Sequence, residues 1–89
     1  MHHEDPVVVP NVLVTDGEIW VTVEDHERFQ VRDAAGLESS LRDVHREHSV
    51  SGEWVLTAEA STPFARMVRL MDAARSADFP SVNLAYRGP

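Results

Sequence analysis

With 89 residues, 43% of them apolar, the chain has room for one domain around one modest core. The absence of cysteine excludes a disulfide framework and a thiolate metal site, and no apolar run is longer than the three residues of Val7-Val8-Val9, far too short to span a membrane. Eight arginines and no lysine against fifteen acids give a formal net charge of -7, and residues 1–30 hold seven acids with a single base, Arg28, so nucleic acid is not an expected partner.

Met1-His2-His3 reads as a cloning scar or tag remnant, and residues 1–6 as that remnant or a disordered lead ahead of a domain over 7–86. Val7-Val8-Val9 is β-branched and stopped by Pro10, which brings no N–H to a ladder, so it is an edge strand or an extended lead-in. Val12 to Thr15 is a better strand. Asp16-Gly17 then predicts a type I′ hairpin into Ile19–Val23, with Ile19, Val21 and Val23 on one face and Trp20 and Thr22 on the other. Residues 24–28 form a polar turn, and Phe29 and Val31 alternate with polar neighbours as a short third strand.

Asp33 is a candidate helix cap, but Gly36 leaves the start open, and the helical pattern is continuous only from Leu37. Leu37, Leu41 and Val44 make its apolar stripe, Glu38 and Arg42 a favourable i, i+4 pair, and the end falls near Glu47 or His48. Trp54 to Ala58 is a nearly continuous apolar run, as expected of an interior strand. Ser61-Thr62-Pro63 predicts a second helix, with a hydroxyl cap and proline in the first turn. Phe64, Met67, Val68, Met71 and Ala74 line one face of it, widened by Leu70, Ala73 and Ala77; it ends near Ser76-Ala77-Asp78, where Asp78 can adopt αL less readily than glycine, and Phe79-Pro80 stops it. Val82 to Tyr86 is the last strand and residues 87–89 a tail.

The order is hairpin, strand, helix, strand, helix, strand. A strand–helix–strand unit from Trp54 to Tyr86 implies parallel strands, and the hairpin is antiparallel. The expected fold is therefore α+β: a two-layer sandwich of a mixed β-sheet with two helices packed on one face. In that fold Phe64, Val68, Met71 and Leu84 are expected in the core beside Leu37, Leu41 and Val44.

The search for chemistry finds no catalytic constellation. His45 and His48 lie three apart where a zincin needs His-Glu-x-x-His, so they read as a solvated helix end. No nucleophile elbow, Walker loop or GxGxxG is present. Trp20 and Trp54 are candidates for stacking on a sugar but better read as core-edge residues. Arg66, Arg69 and Arg75 cluster as the wet face of the second helix, with an anion contact as the alternative. No cofactor or metal is expected, and the residues read as a binding or assembly module.

Three stretches of the C-terminal half carry a resemblance: Trp54-Val55-Leu56-Thr57-Ala58-Glu59-Ala60, then Val68-Arg69-Leu70-Met71-Asp72-Ala73-Ala74-Arg75-Ser76-Ala77, then Val82-Asn83-Leu84-Ala85. This run, with the Asp16-Gly17 hairpin and the helix from Leu37 to Val44, resembles the periplasmic domain of the ExbD/TolR biopolymer-transport family over residues 7–86. Glu59 and Asp72 occupy the family's acidic positions, though aspartate is usual at the first, and glycine is usual where Asp78 stands. The family's transmembrane helix with its proton-carrying aspartate has no counterpart among these residues, so its ion chemistry maps onto none of them.

The resemblance implies a non-enzymatic domain of a proton-motive-force-driven subunit on the periplasmic side of the bacterial inner membrane. Such a subunit dimerises inside a ring of ExbB/TolQ-type membrane partners and couples to a periplasmic protein or to peptidoglycan. The competing reading is an unrelated small α+β ligand-binding or regulatory module. For either, the sheet edges are the expected interaction elements. Val7, Val8 and Val9 are one candidate and Val82, Leu84 and Tyr86 the other, used to pair with a second copy or with a partner's extended segment.

Overall fold

The computed structural model describes residues 7–24 and 28–88; the 1–6 lead, the middle of the polar turn and Pro89 of the tail lie outside the described residues. Five strands and two helices follow in the order β1 (Asn11–Thr15), β2 (Glu18–Thr22), β3 (Arg28–Val31), α1 (Ala34–Glu47), β4 (Glu53–Glu59), α2 (Phe64–Ser76) and β5 (Ser81–Arg87). The sheet runs β3-β2-β1-β4-β5, antiparallel through β1, β2 and β3 and parallel from β1 to β4 and from β4 to β5. The fold is the expected α+β two-layer sandwich: a mixed sheet with both helices on one face.

Alternation along the strands decides which face the helices cover. Val12 and Val14 of β1 stand opposite Val21 and Ile19 on one side and Leu56 and Ala58 on the other, and all six are buried. They join Leu37, Leu41 and Val44 of α1 and Met67, Leu70 and Ala74 of α2 in one core, with Trp54 and Phe79 as its largest side chains. The other face carries Leu13, Trp20, Val55 and Thr57, each only partly covered. The apolar run of β4 is thus buried on one face, not both.

The β1–β2 hairpin forms at Asp16-Gly17, with Thr15 opposite Glu18, but its turn is not type I′. Gly17 has φ 91° while Asp16 is not in the positive-φ region, so the left-handed region is used at the second position alone, where type I′ needs it at both. α1 begins three residues before Leu37. The Asp33 carboxylate accepts the Gly36 N–H at 2.9 Å, so the glycine sits at the position whose donor the cap satisfies, and it does not delay the helix. Glu38 and Arg42 pair at 2.7 Å.

The start of α2 differs from expectation. Pro63 is itself the N-cap residue, and neither Ser61 nor Thr62 caps the helix; the Pro63 carbonyl accepts from Arg66 and Met67 instead. The buried face is Met67, Leu70, Ala73 and Ala74, leaving Val68 and Met71 half-covered and Phe64 68% exposed. Phe64 and Leu84 are therefore not core residues. α2 rises from the C-terminal end of an inner strand and packs towards α1, so the stripe Phe64, Val68, Met71 falls on its outer flank. Its end is a Schellman motif: Asp78 has φ 67°, its N–H donates to Arg75 O at 3.1 Å, and the Phe79 N–H donates to Ala74 O at 2.9 Å. The last strand is one residue longer at each end than Val82 to Tyr86, so Arg87 belongs to β5 and not to a tail. Among the described residues no helix is long and apolar enough to cross a membrane.

Candidate functional site

The two outer strands of the sheet are β3 and β5, and they differ in kind. β3 has four residues, Arg28 and Gln30 among them, and both polar side chains are engaged: Arg28 lies 5.0 Å from the Trp20 ring centroid and Gln30 donates to Glu18 at 3.4 Å. Shortness and charge are ordinary ways of blunting an edge. β5 has seven residues and one charge, Arg87, at its end.

The aim of β5's backbone follows from its hydrogen bonds. The Ser81 N–H donates to Gly52 O at 3.0 Å and the Arg87 carbonyl accepts from Ala60 N at 3.0 Å. A parallel ladder engages alternate residues of a strand. Ser81, Asn83, Ala85 and Arg87 therefore face β4, and the N–H and C=O groups of Val82, Leu84 and Tyr86 face outward along the open rim. By register with Trp54, Leu56 and Ala58, the side chains of the same three residues stand on the helix-bearing face. α2 does not reach over them: Leu84 is 42% and Tyr86 57% exposed. Phe64, at the start of α2, is also exposed, and Val68 and Met71 further along that helix are half-covered.

Val7-Val8-Val9, the other predicted edge, pairs with its own chain through one isolated bridge outside the named strands. The Val8 N–H donates to Ser49 O at 2.8 Å, Val8 bridges Val50 in parallel, and the Pro10 carbonyl accepts from Val55 N. The segment continues β1 beside the stretch that leads into β4 of the same chain, away from both rims.

Glu59 and Asp72 both hold local structure. Glu59 Oε1 accepts the Asp16 N–H at 3.0 Å, and Asp72 pairs with Arg75 at 2.6 Å on the surface of α2. His45 meets Phe79 edge-on with ring centroids 5.8 Å apart, and His48 Nδ1 lies 3.5 Å from Glu24, so the two imidazoles are turned to different partners. Among the described residues no three His, Asp or Glu side chains converge as metal ligands. Trp54 is buried and presents no stacking surface; Trp20 lies on the open face of the sheet.

The arginines of α2 divide. Arg75 is held by Asp72, whereas Arg66 and Arg69 line an open groove of about 680 Å³ together with Arg32 from the β3–α1 link. Arg32 is invisible to a search by spacing, because only the fold brings it beside α2.

Neither the models of protein families nor the curated proteins give a match to this chain, so the ExbD/TolR resemblance rests on the residues quoted for it.

Proposed function

We propose that this is a non-enzymatic assembly domain that binds through strand pairing at β5, first with a second copy of itself. The observation that carries the reading is the outward aim of the backbone groups of Val82, Leu84 and Tyr86 along an unblunted rim, with Leu84 and Tyr86 exposed. Two copies joined antiparallel at β5 would continue the sheet across a two-fold axis, satisfy each other's outward N–H and C=O groups, and cover Leu84 and Tyr86. Within the resemblance, the domain is the periplasmic part of a proton-motive-force-driven transport subunit. The same rim then takes an extended segment of a periplasmic partner protein, or the domain anchors to peptidoglycan, and strand exchange at β5 makes dimerisation and partner binding compete.

Sedimentation over a concentration series tests the pairing. The wild-type chain self-associates, and Leu84→Lys sediments as a monomer with an unchanged circular dichroism spectrum. Added salt tightens the wild-type dimer, because each copy carries a formal charge of -7. A wild-type chain monomeric to about 1 mM, a concentration at which ~4 kcal/mol of association would show, overturns the proposal. The motor reading is tested apart from it. An upstream reading frame encoding ~20 apolar residues with one aspartate supports that reading, and an upstream frame without them overturns it.

A further inference from the structure

We infer that the groove between α2, the β3–α1 link and the hairpin is a binding site for a small organic anion with two or more carboxylate or phosphate groups. It shares no residue with the β5 rim and does not depend on the pairing proposed there.

The inference starts from where the positive charge goes. On the helix surfaces Arg42 pairs with Glu38, Arg46 with Asp43 and Arg75 with Asp72, while Arg28 lies over Trp20. Each of these cations has a local partner. Among the described residues Arg32, Arg66, Arg69 and, at the end of β5, Arg87 have no carboxylate or ring partner, although acids outnumber bases fifteen to eight in the chain. The first three line the same groove. Among the described residues its only carboxylate is Asp33, and one oxygen of that group is taken by the Gly36 N–H at 2.9 Å.

Three guanidinium groups around one space repel one another, and a multivalent anion turns that repulsion into attraction. Their planar forks match carboxylate and phosphate oxygens in pairs, which gives geometry as well as charge. Arg66 and Arg69 stand three apart on α2 and so share a helix face, and Arg32 supplies the third contact from across the groove. Ile19 and Leu70, both buried core residues, form part of the wall, and an apolar wall both strengthens the ion contacts and admits a small hydrocarbon body. A groove of about 680 Å³ is within the size range of metabolite sites.

Isothermal titration calorimetry with citrate and with pyrophosphate tests the site on the full chain. Saturable binding of one or both anions is expected, and the preferred one names the chemical class: citrate for polycarboxylates, pyrophosphate for phosphates. Arg32→Gln and the double variant Arg66→Gln/Arg69→Gln each weaken binding by about ten-fold or more, while Arg46→Gln, whose cation is already paired on α1, leaves it unchanged. All four residues are on the surface or half-buried, and a melting curve for each variant confirms that it is folded. Absence of binding to both anions up to about 10 mM overturns the inference, as does binding that survives both groove variants.

Discussion

Glu59, at the end of β4, accepts a hydrogen bond from the backbone N–H of Asp16 at 3.0 Å, across 43 residues of chain. β1 and β4 run parallel, so the turn after β1 and the end of β4 come to the same end of the sheet, and the carboxylate reaches the turn's free donor. This contact ties the hairpin to the inner strand where the ladder itself stops, and it gives the acidic position of the resemblance a structural job.

If that job is acceptance of one N–H, amide and carboxylate serve nearly alike. Glu59→Gln is expected to unfold in urea close to wild type, and Glu59→Ala to lose about 1 kcal/mol, the usual net worth of one such bond. Equal midpoints for all three would show that the contact contributes nothing.

A buried and an exposed helix residue make opposite predictions for large-to-small substitution. Leu41 of α1 is fully buried against the sheet, so Leu41→Ala should cost ~2–5 kcal/mol. Phe64 is 68% exposed, so Phe64→Ala should change the stability of the monomer by less than ~0.5 kcal/mol while weakening self-association. Urea melts at low concentration and sedimentation at high concentration separate the two effects.

That contrast also shows what could be read from the residues in order. Leu37, Leu41 and Val44 form a single narrow stripe, and a narrow stripe has only one way to face a core. α2 is apolar around more than half its circumference. Phe64, Val68 and Met71 make one stripe and Met67, Leu70 and Ala74 another, and only the sheet decides between them. The first stripe is left half-covered at Val68 and Met71 and exposed at Phe64. The Schellman end was legible because Asp78 precedes Phe79-Pro80, where a helix cannot continue. The hairpin was legible from Asp16-Gly17, but its turn type was not, since Gly17 alone takes a positive φ where a type I′ turn needs two. Arg32 was illegible as a groove residue for a different reason: it lies 34 positions before Arg66 in the chain.

Asp78 pays a local cost for ending α2. Its φ of 67° is in the left-handed region, where a Cβ crowds the backbone and glycine does not. Asp78→Gly is therefore expected to raise stability by about 0.5–1 kcal/mol, measured by thermal melting, with the Phe79 N–H to Ala74 O bond retained. A lower melting temperature would mean that the aspartate side chain stabilises the turn by more than its backbone strain costs.

The alternation of β5 allows its outward and inward hydrogen-bonding groups to be separated by proline. At Leu84 the N–H points to the open rim, so Leu84→Pro removes a donor that no described residue of the same chain uses, on an edge strand where proline is tolerated. At Ala85 the N–H points to β4, so Ala85→Pro removes a ladder bond inside the β4–β5 pair and should cost roughly 3 kcal/mol. Leu84→Pro is expected to melt within about 1 kcal/mol of wild type and to sediment as a monomer, because a strand arriving at the rim meets a missing donor and a ring in its path. Ala85→Pro is expected to be markedly destabilised at every protein concentration. The reverse ranking, with Leu84→Pro the less stable of the two, would show that the parity of β5 is opposite to that derived from Ser81 and Arg87. A folded Leu84→Pro that dimerises as tightly as wild type would move self-association to another surface.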